Sequence, residues 1–348
     1  MKRVKTFFID GRQVGPDAET LVVAEIGINH GGNIDVAIEM VDSAARAGVE
    51  VVKHQTHVVE DEMSSAAKHV IPGNSDKSIY QIMSECALSE KDEHRLMEYV
   101  RHKRMIFIST PFSRAAVLRL ERFGVSAYKI GSGECNNYPL LKLVASKGKP
   151  IILSTGMNNL QSVRKAAEIF DNAAVPYALL HTTNLYPTPY HLVRLGGMTE
   201  LMSAFPEVPV GLSDHTVDNY SSYAAVALGA SIIEKHFTDH HGRQGPDICC
   251  SMDEVSCKEL ITASRIIRNQ LGGIKEAAQE EAVTIDFAFA SIVTIEQVPI
   301  GGRFTESNIW VKRPGKNGIP AEMYESILGR RATRDIEADA QLRPGDYE

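Results

Sequence analysis

Two short apolar runs in this chain each end in a histidine. One reads Val208-Pro209-Val210-Gly211-Leu212-Ser213-Asp214-His215-Thr216, and the other reads Ala230-Ser231-Ile232-Ile233-Glu234-Lys235-His236-Phe237-Thr238. Each has the make-up of a buried strand that turns polar at its C-terminal end. A lone strand-end histidine is more often structural than functional. Two of them on consecutive strands, each beside a carboxylate, can share one divalent metal or move a proton. Strand alternation turns the neighbours of a ligand away from it. Asp214 and Glu234 are therefore read as supporting groups, and the metal shell as His215 and His236 completed by water and substrate oxygen.

A second set of residues suits an anion. Lys53 and Lys129 are flanked by apolar residues, and an ammonium placed in a low-dielectric interior needs a counter-charge. With Thr110, Ser132, Ser154 and Ser213 they make an inventory for a small ligand bearing phosphate and carboxylate. Lys129 could instead form a Schiff base. Gln55, Asn74, Asn184 and Tyr186 are neutral polar groups suited to a sugar. A metal beside these groups would act as a Lewis acid on a carbonyl oxygen, and imidazole ligands suit Zn, Fe and Mn.

The elements that must position these residues follow a rhythm. Strand-like apolar runs occur at 21–28, 49–53, 105–109, 127–130, 151–154, 177–180, 208–212 and 231–234. Between them, apolar residues spaced three and four apart predict helices at 35–45, 90–101, 114–122, 140–146, 160–170 and 220–228. Gly48, Gly124, Gly148 and Gly229 follow four of these helices, where C-caps belong. Eight alternations over roughly 250 residues fit a (β/α)8 TIM barrel better than a doubly wound sheet, and no glycine-rich dinucleotide fingerprint follows the first strand. The domains expected are a 1–20 N-terminal appendage with a hairpin at Asp10-Gly11, a 21–270 barrel, a 271–286 linker and a small mostly-β domain over 287–348. The connection 56–78 is long for a βα loop, a property that loops carrying function often have.

Composition removes other classes. The chain has 348 residues, 43% of them hydrophobic, with a net charge of −7 and no long basic run. Nucleic-acid and membrane-surface binding are not favoured, and the apolar stretch at 7–9 is too short for a signal peptide. Cys86, Cys135, Cys249, Cys250 and Cys257 are odd in number and form no CxxC pair, which points to a reducing, cytoplasmic setting.

Several motifs carry a resemblance. They are Glu25-Ile26-Gly27-Ile28-Asn29-His30, Val52-Lys53-His54-Gln55-Thr56, Ile71-Pro72-Gly73-Asn74, Ser109-Thr110-Pro111-Phe112, Tyr128-Lys129-Ile130-Gly131-Ser132-Gly133-Glu134, Ser154-Thr155-Gly156-Met157, Gly211-Leu212-Ser213-Asp214-His215-Thr216, Glu234-Lys235-His236-Phe237-Thr238 and Gly245-Pro246-Asp247. In this order, with Val311-Lys312-Arg313-Pro314 near the C-terminus, the chain resembles the bacterial N-acetylneuraminate (sialic acid) synthases over essentially its whole length. That family joins a barrel to an antifreeze-like (SAF) domain. The resemblance implies condensation of phosphoenolpyruvate with N-acetylmannosamine and water to give N-acetylneuraminate and phosphate. It further implies C–O cleavage, with a divalent metal, usually Mn²⁺, activating the sugar aldehyde. Carried over, His215 and His236 bind the metal. Lys53, Thr110, Lys129, Ser132, Ser154, Asn184 and Ser213 hold phosphoenolpyruvate. Gln55, Asn74, Glu134, Tyr186 and Asp247 surround the sugar, and Arg313 reaches its N-acetyl group from the other subunit of a domain-swapped homodimer. Glu25 would orient or deprotonate the water. The alternatives are a legionaminate-type synthase using a 2,4-diacetamido-trideoxy sugar, or a non-catalytic carbohydrate-binding protein.

Overall fold

The computed structural model describes residues 4–72 and 76–348, and the chain forms two compact units, Met1–Gly272 and Gly273–Glu348. The first unit opens with an antiparallel hairpin of β1 (Phe7–Ile9) and β2 (Arg12–Val14), turned at Asp10-Gly11 as expected. Eight parallel strands follow: β3 (Leu21–Gly27), β4 (Val51–Thr56), β5 (Ile106–Pro111), β6 (Tyr128–Ile130), β7 (Ile151–Ser154), β8 (Tyr177–Thr182), β9 (Val210–Asp214) and β10 (Ile232–His236). They close into a barrel, β10 pairing with β3.

Alternation along the strands sorts the side chains into two layers. Val22, Val52, Phe107, Tyr128, Leu153, Leu179, Leu212 and Ile233 face outward onto the helices. Leu21, Val23, Val51, Ile108, Ile152, Ala178, Leu180 and Ile232 fill the N-terminal part of the bore. Phe7, Ile9 and Val14 of the hairpin pack into the same cluster, so the supposed appendage plugs that end of the barrel. Each such large side chain contributes about 1.5–3 kcal/mol by leaving water. The plug makes the opposite end the open one.

The helices start and stop where side chains meet backbone needs. Asn33, Ser89, Ser113 and Asn159 accept bonds from first-turn amides. Gly48 (φ 86°) and Gly124 (φ 66°) close two helices in the left-handed conformation. One barrel helix has no counterpart in the sequence expectation. It spans Leu195–Ala204 after β8, and Gly196-Gly197 in its first turn conceal it. A Cβ on Gly197 would lie 2.7 Å from the His181 ring, so close packing sets that residue rather than helix propensity. The connection after β4 also holds a short helix at Val59–Glu62 and another at Ile79–Cys86.

The second unit has its own core of Ile292, Val298, Phe304, Ile309, Ile319, Ile327, Ile336 and Leu342 around β11 (Ser291–Thr294) and β12 (Ile309–Lys312). The stretch expected as a linker is partly helical, because Ala282–Ala288 forms two turns whose side chains are exposed or half-buried. No helix among the described residues is long and apolar enough to cross a membrane, and the five cysteines are free.

Candidate active site

Above the apolar filling, each barrel strand turns at least one polar side chain inward. In strand order these are Glu25, Lys53, Thr110, Lys129, Ser154, Thr182, Ser213 and Glu234, and all of them line a cavity of about 130 Å³ at the C-terminal end. Gln55, Phe112, Ser132, Asn184, Tyr186, His215 and His236 complete its wall. Active sites of this fold sit at this end.

Charge is concentrated at the centre. The Lys53 ammonium lies 2.6 Å from Glu25 Oε2 and 3.5 Å from Glu234 Oε1, and the Lys129 ammonium lies 3.5 Å from that same Glu234 oxygen. Burial opposes the charge on Lys53, but Glu234 and Glu25 outweigh it and raise the pKa above the usual lysine value. Lys129 has less compensation. Burial pushes it down to about 8, Lys53 repels it, and Glu234 pulls the other way. Burial likewise resists ionisation of Glu234, yet Lys129 and Lys53 hold its carboxyl below the ordinary value. Lys129 Nζ donates to Ser154 Oγ at 2.7 Å, Lys53 Nζ to Thr110 Oγ1 at 3.3 Å, and Ser213 Oγ to Glu234 Oε1 at 3.3 Å. Gln55 Nε2 donates to Glu25 Oε1 at 2.8 Å.

The histidines stand at the rim. Their ring centroids are 5.4 Å apart, and Tyr186 stacks on His215 at 4.3 Å. Burial, with each other's charge added for His215, lowers both to about 4, so both are neutral near pH 7. His215 Nδ1 lies 2.9 Å from the Thr183 carbonyl; it donates there and leaves Nε2 as a free lone pair. His236 Nδ1 is buried with no hydrogen-bond partner, 3.7 Å from Asp247 Oδ2. Burial lifts the Asp247 carboxyl to about 6. Neutral imidazoles with unshared lone pairs fit a divalent metal. Among the described residues, no three His, Cys, Asp or Glu side chains converge to hold one by themselves. An ion here would rest on the two histidines and on oxygens from water or substrate.

The sequence matches the NeuB family over residues 40–276 and the SAF domain over residues 289–348. The chain belongs to the NeuB family. It is a phosphoenolpyruvate-condensing transferase of that family. An N,N'-diacetyllegionaminic acid synthase from Campylobacter jejuni is 38% identical over 93% of this chain and 99% of its own length. The human N-acetylneuraminate-9-phosphate synthase is 28% identical over 94% of this chain and 93% of its own length. The crystal structure of an N-acetylneuraminic acid synthetase from Leptospira borgpetersenii in complex with citrate is 29% identical. It covers 81% of this chain and 95% of that one, with a TM-score of 0.74.

The cavity of this NeuB chain brings together Glu25, Lys53, Gln55, Thr110, Lys129, Ser132, Ser154, Asn184, Tyr186, Ser213, His215 and His236. Asp247 is buried beside His236. Glu134 does not line the cavity; it accepts from Asn137 Nδ2 at 2.6 Å. Arg313 is exposed in the second unit, and Asn74 lies outside the described residues. The outward orientation expected for both carboxylates is found for Asp214 alone. Asp214 faces out of the barrel and pairs with Lys235 at 3.1 Å, tying the end of β9 to that of β10 behind the histidines. Glu234 faces in. It stands two residues before His236, not one, so the same alternation that turns Lys235 away brings Glu234 to the centre.

Proposed function

We propose that the chain condenses phosphoenolpyruvate with an unphosphorylated, N-acylated mannose-type aldose and releases phosphate by C–O cleavage. The observation that carries this is the convergence of partnerless buried polar atoms on one cavity beside two buried lysines: Asn184 Oδ1, Glu234 Oε2 and His236 Nδ1. Buried polar atoms left open in this way call for a polar ligand.

Lys53 and Lys129 bind the anionic end of phosphoenolpyruvate, and Thr110, Ser132, Ser154, Ser213 and Asn184 orient it. Such fixed donors do not reorganise during the reaction. His215 and His236 hold a divalent ion, Mn²⁺ in this proposal, which would supply Lewis-acid polarisation of the aldehyde oxygen. Glu25 holds a water by Oε1 and can take its proton. Gln55 and Tyr186 of the cavity wall, with Asp247 beside His236, surround the sugar. Among the described lining residues the cations are Lys53 and Lys129, and Glu234 lies 3.5 Å from each. With both lysines engaged by phosphoenolpyruvate, no cation among the described lining residues remains for a sugar phosphate.

N-acetylmannosamine is one acceptor in this proposal, giving N-acetylneuraminate. The 38% identity to a legionaminic acid synthase favours a second, the 2,4-diacetamido-trideoxy sugar. Phosphate release is to be measured with phosphoenolpyruvate, Mn²⁺ and each sugar in turn, using phosphoenolpyruvate labelled with ¹⁸O at the bridging oxygen. One of the two sugars is expected to support turnover, and the label is expected in phosphate. Label kept in the keto acid overturns C–O cleavage, and turnover only with a 6-phosphorylated sugar overturns the acceptor class.

The proposal includes a cytoplasmic homodimer in which each SAF domain serves the partner's barrel. Arg313 would then contact the acyl group of the sugar. Arg313→Ala should raise the sugar KM about tenfold and leave the phosphoenolpyruvate KM within about twofold, because the lost contact touches one substrate. Equal changes in both constants would remove Arg313 from the sugar site.

A further inference from the structure

Behind the cavity wall a line of side chains runs from Glu25 to the short helix Val59–Glu62. Gln55 Nε2 donates to Glu25 Oε1 at 2.8 Å. Gln55 Oε1 lies 3.1 Å from His57 Nε2, and His57 Nδ1 lies 2.8 Å from Glu62 Oε2. The His57 ring is buried and stacks on Phe112, a cavity residue, with centroids 4.6 Å apart and planes 8° from parallel. None of the sequence motifs gave His57 or Glu62 a task, and neither lines the cavity.

The ends of this line fix the direction of every bond in it. Glu25 is paired to Lys53 at 2.6 Å through Oε2 and is therefore an acceptor. Gln55 must turn its NH₂ toward Glu25, which leaves its carbonyl oxygen facing His57. That oxygen accepts, so His57 Nε2 must donate. The carboxylate of Glu62 accepts too, so Nδ1 must donate there. A glutamine amide has no preference of its own between its two ends, so its neighbours set its orientation.

We infer that His57, held by Glu62 and Phe112, is a positioning residue that locks the Gln55 amide with its NH₂ on Glu25 and so sets the carboxylate for the reaction. The inference rests on the proposed synthase reading, in which Glu25 and Gln55 touch water and sugar. Without the lock the Gln55 amide keeps its bond to Glu25 Oε1 but its oxygen is held by nothing behind it, so the amide swings about its side-chain torsions and Glu25 loses its fixed orientation.

The test compares two replacements of His57 in the full-length enzyme. Phenylalanine keeps the stack on Phe112 and has no donor. Glutamine loses the stack but carries an NH₂ where Nε2–H stood. His57→Phe should lower kcat about 10- to 100-fold, the range found when the group behind a reacting residue is removed. His57→Gln should stay within about threefold of the parent, and the phosphoenolpyruvate KM should move little in either. Glu62→Leu and Glu62→Gln repeat the comparison from the other end: leucine removes the acceptor at Nδ1 and should lower kcat, whereas glutamine keeps it. This second pair decides the matter if His57→Phe does not fold. His57→Phe equal to or better than His57→Gln would show a packing role and overturn the inference. So would equal activity of the two Glu62 variants. The parent enzyme in the same assay tests the synthase reading separately: its failure to release phosphate with any sugar defeats that reading, while a working parent with the wrong variant order defeats the positioning role alone.

Discussion

Replacing His236 by alanine is expected to lower kcat on the order of 10³-fold, about 4 kcal/mol of barrier, while leaving the barrel folded. The two halves of this expectation have separate causes. His236 Nδ1 is buried without a hydrogen-bond partner, and its nearest carboxylate oxygen, on Asp247, is 3.7 Å away. The ring therefore contributes packing but no hydrogen bond from Nδ1 that folding would miss. Behind it the Asp214–Lys235 pair at 3.1 Å continues to hold β9 against β10. What is lost is one of the two neutral nitrogens proposed to hold the metal. Burial lowers both histidines to about 4. Protons compete with the metal only as pH falls through that value, so Mn²⁺ binding to the parent should persist at pH 6 and weaken below about pH 5. Steady-state rates, calorimetric Mn²⁺ titration and thermal denaturation check the three statements. A His236→Ala enzyme with full activity and no need of added metal would end the metal-ligand assignment.

The parts of the fold written in local pattern were legible in the sequence. Short apolar runs alternating with amphipathic stretches point to a parallel sheet covered by helices, and eight alternations favour its closure into a barrel over a doubly wound sheet. The strand ends were less legible. The expected runs stopped at 53, 109, 180, 212 and 234, where polar residues begin. Ladder pairing carries β4 to Thr56, β5 to Pro111, β8 to Thr182, β9 to Asp214 and β10 to His236. Polarity there covers residues that face the cavity, such as Gln55, Thr110, Thr182, Ser213 and His236, and others that face outward, such as Asp214 and Lys235, and it does not mark the end of the backbone bonds. The site is thus built on strands, which hold side chains more tightly than loops do. Glu234 was misjudged by one position of parity, a signal the sequence did contain. The links of His57 to Gln55 and Glu62 were not legible, since they depend on how the chain turns after Thr56. Nor was the approach of Asp247 to His236, which joins a loop residue to a strand end across an open connection.

Lys53→Met is the substitution expected to do the most damage at once, and its repair separates two roles. In the parent, the Lys53 ammonium sits 2.6 Å from Glu25 and 3.5 Å from Glu234, and all three side chains are buried. Methionine fills much of the same space and carries no charge. Glu25 then loses its ion pair, and Glu234 keeps only Lys129, which burial has already lowered to about 8. Breaking a buried pair from one side costs about 3–5 kcal/mol, because the remaining charge is uncompensated. The same change removes one of two cations proposed to hold phosphoenolpyruvate, so kcat/KM should fall by on the order of 10³-fold or more. Adding Glu25→Gln to Lys53→Met removes the stranded carboxylate and keeps a group able to accept from Gln55. Most of the lost stability should return, and activity should not. Chemical denaturation with the phosphate-release assay measures both. Recovery of stability without activity assigns Lys53 to substrate and Glu25 to its charge balance and to the water. Recovery of both would make the pair structural, and a single Lys53→Met variant as stable and active as the parent would remove the central ion network from the mechanism.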